Sequence, residues 1–304
     1  MPFTLALTYQ PRLHVAATRR LSTVVRAALP AFAALWLGLL RDLRTWLTRR
    51  RLHAALQTSG LFGAQALLDQ AWQQTVDAPG RAALGLLATQ LLEDAGTTME
   101  PEAQRLTGQH VAWIPGLPET EYWVRGYVGA QMLLIRTTTL TTARQTMYAA
   151  WQASVGMAAV TRVTTAVLGL TRQHAGTVQR MDERLAADGA TAVTRQQASA
   201  RAIRLLLRRR AQTIAETETH TLGQEGQRQL MLQAIRSGVV VEEQVRRYWE
   251  TAEDERLCSL CEPIPDLNPQ GVGITMPFQT PIGPVMAPTI HPLCRCEVTY
   301  ALEG

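Results

Sequence analysis

Eight of the fifteen prolines fall between Pro263 and Pro292, with Gly271, Gly273 and Gly283 among them. Proline fixes φ and has no amide hydrogen to donate, so this stretch cannot be helical. Its apolar fragments, Val272 to Thr275 and Glu297 to Leu302, read as short strands. So small and loop-rich a module buries too little apolar surface to hold its own shape, and needs a cross-link.

The cross-link is visible in the same stretch, which contains all four cysteines as Cys258-Ser-Leu-Cys261 and His291-Pro-Leu-Cys294-Arg-Cys296. A C-x-x-C knuckle aims two thiolates at one centre, and a second pair across a loop completes the tetrahedron that Zn²⁺ prefers. Cys258, Cys261, Cys294 and Cys296 are the candidate ligands, with His291 a rival fourth ligand or a hydrogen-bonding support to a thiolate. Two other chemistries fit the same residues: one or two disulfides in an oxidising milieu, or reduced thiols packed in a core.

Upstream the texture is helical. Leu35, Leu39, Leu43, Trp46 and Leu47 recur three and four apart, which lines one face of a helix. Gly60 and Gly63 break the pattern, and Asp77-Ala-Pro-Gly80 marks a turn. Pro101, Pro115, Gly116 and Pro118 punctuate residues 96–121, which reads as a linker or packed loop. Most of the next stretch is helix, clearest from Ala198 to Ala215; 132–142 is β-branched enough to suit a strand. The expected organisation is therefore 1–95 basic and helical, 96–121 connecting, 122–248 helical and 249–304 Cys-rich. In fold class the chain is mainly α, with a small loop-rich C-terminal α+β module held by a Cys/His cluster.

Composition excludes several classes. Among 304 residues, 46% are hydrophobic and 18% charged, which suits neither a disordered tail nor a polytopic membrane protein. The apolar run from Ala27 to Leu40 is fourteen residues long and holds Pro30, too short for a bilayer. The expectation for this N-terminal helix is a buried or partner-packed element, with docking on a partner chain foreseen for its wide apolar stripe. All 30 basic residues are arginine, so lysine-dependent chemistry such as a Walker phosphate loop or a Schiff base is excluded. Net charge is +5, and residues 12–51 hold nine arginines against one acid, Asp42. Two triplets, Arg49-Arg50-Arg51 and Arg208-Arg209-Arg210, are candidates for salt-sensitive phosphate contact.

The order Trp249-Glu-Thr251-Ala-Glu-Asp254-Glu-Arg256-Leu-Cys258-Ser-Leu-Cys261, then His291-Pro292-Leu-Cys294-Arg295-Cys296, resembles the C-terminal signature of the phage Mu F-like minor head proteins, or phage head morphogenesis proteins. Trp249, Thr251 and Asp254 are its structural anchors besides the Cys and His residues. Ile214-Ala215-Glu216-Thr217-Glu218 stands where such proteins carry an Ala-Arg-Thr-Glu run, with Glu216 in place of Arg. The resemblance covers about 198–300 and implies a structural minor capsid component of a tailed phage rather than an enzyme. By implication it docks near the portal vertex inside the head, after assembly in the host cytoplasm. Its expected partners are the portal and major capsid proteins and packaged double-stranded DNA, with no small-molecule substrate. The alternative is a DNA-binding protein outside any virion, with a zinc-ribbon-like C-terminal module.

Overall fold

The computed structural model describes residues 16–251 and 257–303. It is mainly helical, with a small antiparallel sheet and the Cys/His cluster close to the C-terminal end. The long helices are α1 (Ala16–Trp46), α2 (Arg49–Trp72), α3 (Ala78–Thr107), α4 (Pro118–Gln152), α5 (Met157–Val167), α6 (Arg172–Ala187) and α7 (Ala192–Arg236). Three strands follow: β1 (Val245–Glu250), β2 (Val272–Gly273) and β3 (Glu297–Leu302), in the order β2-β1-β3. Both strands expected from the apolar fragments are present.

Several boundaries differ from those the sequence suggested. Helix α3 carries Pro101 inside it and runs to Thr107, so the connection shrinks to 108–117. Residues 132–142 are helical, and the hydroxyls of Thr137, Thr138 and Thr142 bond back to carbonyls of the preceding turn. That local bond offsets what a β-branched residue loses in a helix. Gly60 does break the pattern: inside α2 it adopts φ 59° and ψ −151°, a region for glycine alone.

The described residues form two compact units that interleave along the chain. One is drawn from Met1–Pro30, Ala88–Glu121 and Glu216–Gly304, the other from Ala31–Leu87 and Tyr122–Ala215. Composition shifts suggested consecutive regions instead, because a discontinuous unit leaves no compositional seam.

In the first unit, Leu21 of α1, Met99 of α3, Met231 of α7, Trp249 of β1 and Tyr300 of β3 share one core. This end of α1 thus packs within the chain through Leu21, while most of its other residues up to Pro30 are half-buried or exposed. Gly226 lets α7 approach α3: a Cβ there would lie 2.7 Å from that of Ala95. Buried glutamines on α7 hold the rest. Gln233 accepts from the Ile114 amide at 2.7 Å and donates to its carbonyl, which pins the 108–117 loop.

In the second unit, α1 buries Phe32, Trp36, Leu39, Leu40 and Leu43 along one stripe, which Leu47 just past its end continues. By length and composition 20–46 could cross a membrane, since the helix continues past the fourteen-residue run. The α5–α6 turn is closed by guanidinium groups. Arg44 donates to the carbonyls of Ala166 and Leu168, and Arg210 to that of Gly169 and to the hydroxyls of Thr138 and Thr139. These carbonyls end a helix and have no partner within it. Burial brings the Arg210 guanidinium down to about 10, still charged at neutral pH.

The sheet carries the C-terminal module. Val245, Arg247 and Trp249 alternate inward on β1, and Arg247 lies opposite Tyr300 of β3. Although charged, Arg247 is 0% exposed. Its guanidinium donates to the carbonyls of Gly273, Met276 and Met286, and stands 5.0 Å from the centre of the Phe278 ring. Burial pushes the facing Tyr300 phenol up to about 12, so it stays protonated. Three loop segments are thus tied to the central strand by one side chain. Arg247→Met takes the guanidinium donors from the Met276 and Met286 carbonyls, while Gly273 keeps the Met276 amide, and is expected to destabilise the protein by about 2 kcal/mol or more in chemical denaturation. Arg246→Met, which removes only the half-exposed pair with Glu303, should change stability by less than about 1 kcal/mol.

Candidate metal centre

Two tight turns build the cluster. In the first, the amides of Cys261 and Glu262 both donate to the Cys258 carbonyl at 3.0 Å, which folds the C-x-x-C pair back on itself. In the second, the Cys294 amide donates to the His291 carbonyl, and Leu293 between them adopts φ 61°. The turns meet. Nε2 of His291 lies 3.1 Å from Cys258 Sγ and 3.2 Å from Cys261 Sγ, and Cys261 Sγ lies 3.8 Å from Cys294 Sγ.

Helix α7 seats the second turn. Thr217, His220 and Thr221 occupy one face at spacings of three and four. Thr217 Oγ1 accepts from the Leu293 amide, His220 Nε2 bonds the Cys296 carbonyl at 2.7 Å, and the Thr221 hydroxyl bonds that of Thr289. One turn further on, Gln224 accepts from the Val298 amide. From sequence, His220 with Glu216 reads as a solvated helix face and Thr217 as part of the Ile214–Glu218 run, and nothing there gives any of these residues a role at the cluster. The available signal was polar side chains at helical spacing on the helix leading into the module, which also reads as a solvated face.

All five candidate donors come together, in two triads that share Cys261: Cys258, Cys261 and His291, and Cys261, Cys294 and Cys296. Within each triad the ligand atoms lie within 4.8 Å of one another. The four cysteines are free thiols in this structure. Thiolates bound to zinc at about 2.3 Å stand about 3.8 Å apart along a tetrahedral edge, the spacing of Cys261 and Cys294.

Electrostatics separate the four thiols. The Cys296 thiol holds Cys294 down at about 5, and the same contact pushes Cys296 far up. In the other pair burial pushes Cys261 up to about 12. Burial also acts on Cys258, but hydrogen bonds from Cys261 and the Leu260 amide outweigh it and the net shift is downward. Burial opposes charging of the His291 ring, yet the Pro292 carbonyl and the sulfurs of Cys294 and Cys258 raise it. The indole N–H of Trp249 is buried without a hydrogen-bond partner, and its proximity favours a thiolate at Cys296. Thiolate character thus falls on Cys294 and Cys258, and a metal ion held here would have to displace the protons that Cys261 and Cys296 keep. The donor set fits a metal ion.

Of the anchors, Trp249 is buried and meets Phe278 edge to face at 5.3 Å, Thr251 is half-buried, and Asp254 lies outside the described residues. The arginine triplets do not behave as units. Arg51 stacks on Trp46 at 4.3 Å and donates to its carbonyl, while Arg210 is the buried clasp described above. Arg210 is therefore corrected from phosphate contact to internal support, because the α5–α6 turn needs its donors. Arg49, Arg50, Arg51, Arg208 and Arg209 are exposed.

No family model, curated protein or solved structure matches this chain.

His220→Ala removes the bond to the Cys296 carbonyl. We expect it to cost about 1 kcal/mol in thermal denaturation and to speed the reaction of Cys294 and Cys296 with a thiol reagent in chelator.

Proposed function

We propose that this chain is a structural minor capsid protein of a tailed phage, working inside the head near the portal vertex in assembly or DNA delivery. The portal and major capsid proteins are its partners in this reading, with the host cytoplasm the place of assembly. One observation carries the structural rather than enzymatic role: two triads of protein donors meet at Cys261, enough to fill the four positions zinc takes. Catalytic zinc sites keep a position open for water or substrate, whereas a saturated protein shell is structural. The signature residues shared with the Mu F-like proteins supply those donors and Trp249 beside them. The reading as a DNA-binding protein outside the virion loses one of its six candidate arginines, because Arg210 is buried in an internal contact.

The metal in this reading is Zn²⁺, which when bound cross-links the two turns. Cys258, Cys261, His291 and Cys294 would hold it. His291 aims Nε2 between two sulfurs while its Nδ1 faces the Pro292 carbonyl at 2.9 Å, and an imidazole ligand is commonly oriented through its other nitrogen in this way. Cys296 then stands behind Cys294, next to the Trp249 indole.

Elemental analysis of folded protein should give about one zinc per chain, as for a single tetrahedral site. Cys261→Ser and His291→Ala should lose it, and Cys296→Ser should retain it. Retention by His291→Ala with loss in Cys296→Ser would exchange the two roles.

The capsid reading is tested on particles purified from cells carrying the native gene cluster. Mass spectrometry should find this chain at low copy relative to the portal, and particles made with Cys261→Ser should lack it. Particles that never contain the chain overturn the proposal.

A further inference from the structure

The second unit contains an open cavity of about 1610 Å³ bounded by residues of α1, α2 and α4 to α7. Its lining is two-faced. Val163, Ala166, Val178, Ile203 and Leu207 form an apolar floor. Around them stand seven arginines against two acids, Asp182 and Glu183. Arg44 is committed to the α5–α6 carbonyls and Arg195 pairs with Asp182 at 3.3 Å. The other five, Arg49, Arg162, Arg172, Arg180 and Arg204, are exposed at the rim. Glu183 accepts from Gln179 and is the one remaining acid of the lining.

We infer that this groove docks an acidic amphipathic helix of a partner protein. Charge complementarity selects the acid: five exposed guanidinium groups face one unpaired carboxylate across a mouth open to solvent. The floor selects the amphipathic peptide over a nucleic acid. Phosphates keep their water or take polar partners, and an apolar floor offers neither, whereas protein–DNA interfaces are polar and wet. A helix about 10 Å across fits a cavity of this size over roughly three to four turns. It lays its apolar stripe on the floor and its carboxylates among the arginines, the helix-in-groove mode of recognition. Residues 1–15 do not meet this description, because they carry Arg12 and no acid. The inference uses no residue of the metal centre and does not rest on the capsid reading, so either can fail alone.

Fluorescence anisotropy on the full chain tests it with three labelled probes. One is a peptide of about 18 residues, some five turns, with Leu and Ala on one helical face and Glu on the other. The others are a scrambled peptide of identical composition and a short DNA duplex. The amphipathic peptide should bind at least tenfold more tightly than its scrambled form and weaken as salt rises. Arg162→Glu with Arg204→Glu should weaken it by about tenfold or more, through loss of charge complementarity. Both positions are exposed, and an unchanged circular dichroism melt shows that the variant folds. If that variant is destabilised, a peptide carrying Lys for Glu decides instead: it should bind the variant more tightly than the native chain. Equal binding of amphipathic and scrambled peptides, no response to the charge swap, or duplex DNA binding more tightly than the peptide would each overturn the inference.

Discussion

A guanidinium with no access to water holds the C-terminal module together. Arg247 sits on the central strand, opposite Tyr300, and supplies donors to three carbonyls from the Gly/Pro-rich loop. Prolines deprive much of that loop of amide donors. Against the expectation of no helix it forms one helical turn, Ile264–Leu267, besides the two-residue β2 and an isolated bridge, and other carbonyls take side-chain donors. A fixed fork of N–H groups on a long side chain reaches several acceptors at once. The loop that results brings His291 and Cys294 to the C-x-x-C knuckle. Metal binding would then close a geometry that the protein has already largely formed.

Arginine does similar work elsewhere. Arg44 and Arg210 close the α5–α6 turn of the second unit through main-chain carbonyls. An ammonium is a compact, strongly hydrated charge and suits such sites less well. In a chain without lysine, interior support and surface charge draw on one residue type, so a run such as Arg208-Arg209-Arg210 contains both. Helical phase separates them: Arg210 falls on the buried stripe with Ile203 and Leu207, and Arg208 and Arg209 fall outside it.

That overlap also explains which parts of the structure were legible in the sequence. The Cys/His cluster, strands β2 and β3 and the break at Gly60 could be read directly, because spacing, proline density and glycine each have a local physical cause. Strand β1 was hidden: an arginine at the centre of its inward face disguises the alternation of Val245 and Trp249, and 122–248 read as helix to its end. The buried glutamines of α7 were hidden for the same reason, since Gln224, Gln229 and Gln233 look like a wetted face until their partners are known. Choosing among the five metal donors needed distances, because spacing alone admits both His291 and Cys296. The interleaving of the two units rests on contacts between remote segments, such as Leu21 and Val25 against Gly223, for which no local pattern exists.

That interleaving imposes an order on synthesis. Residues 31–215 contain every segment of the second unit, so a chain emerging from the ribosome can complete that unit while the C-terminal third is still unmade. The α1 and α3 segments of the first unit emerge early but find their core only when 216–303 arrive, and Leu21 and Met99 stay uncovered meanwhile. The cysteines come later still. A metal ion bound at the cluster would therefore act on the closing step of biogenesis, and its shortage would leave a finished second unit joined to an open first one.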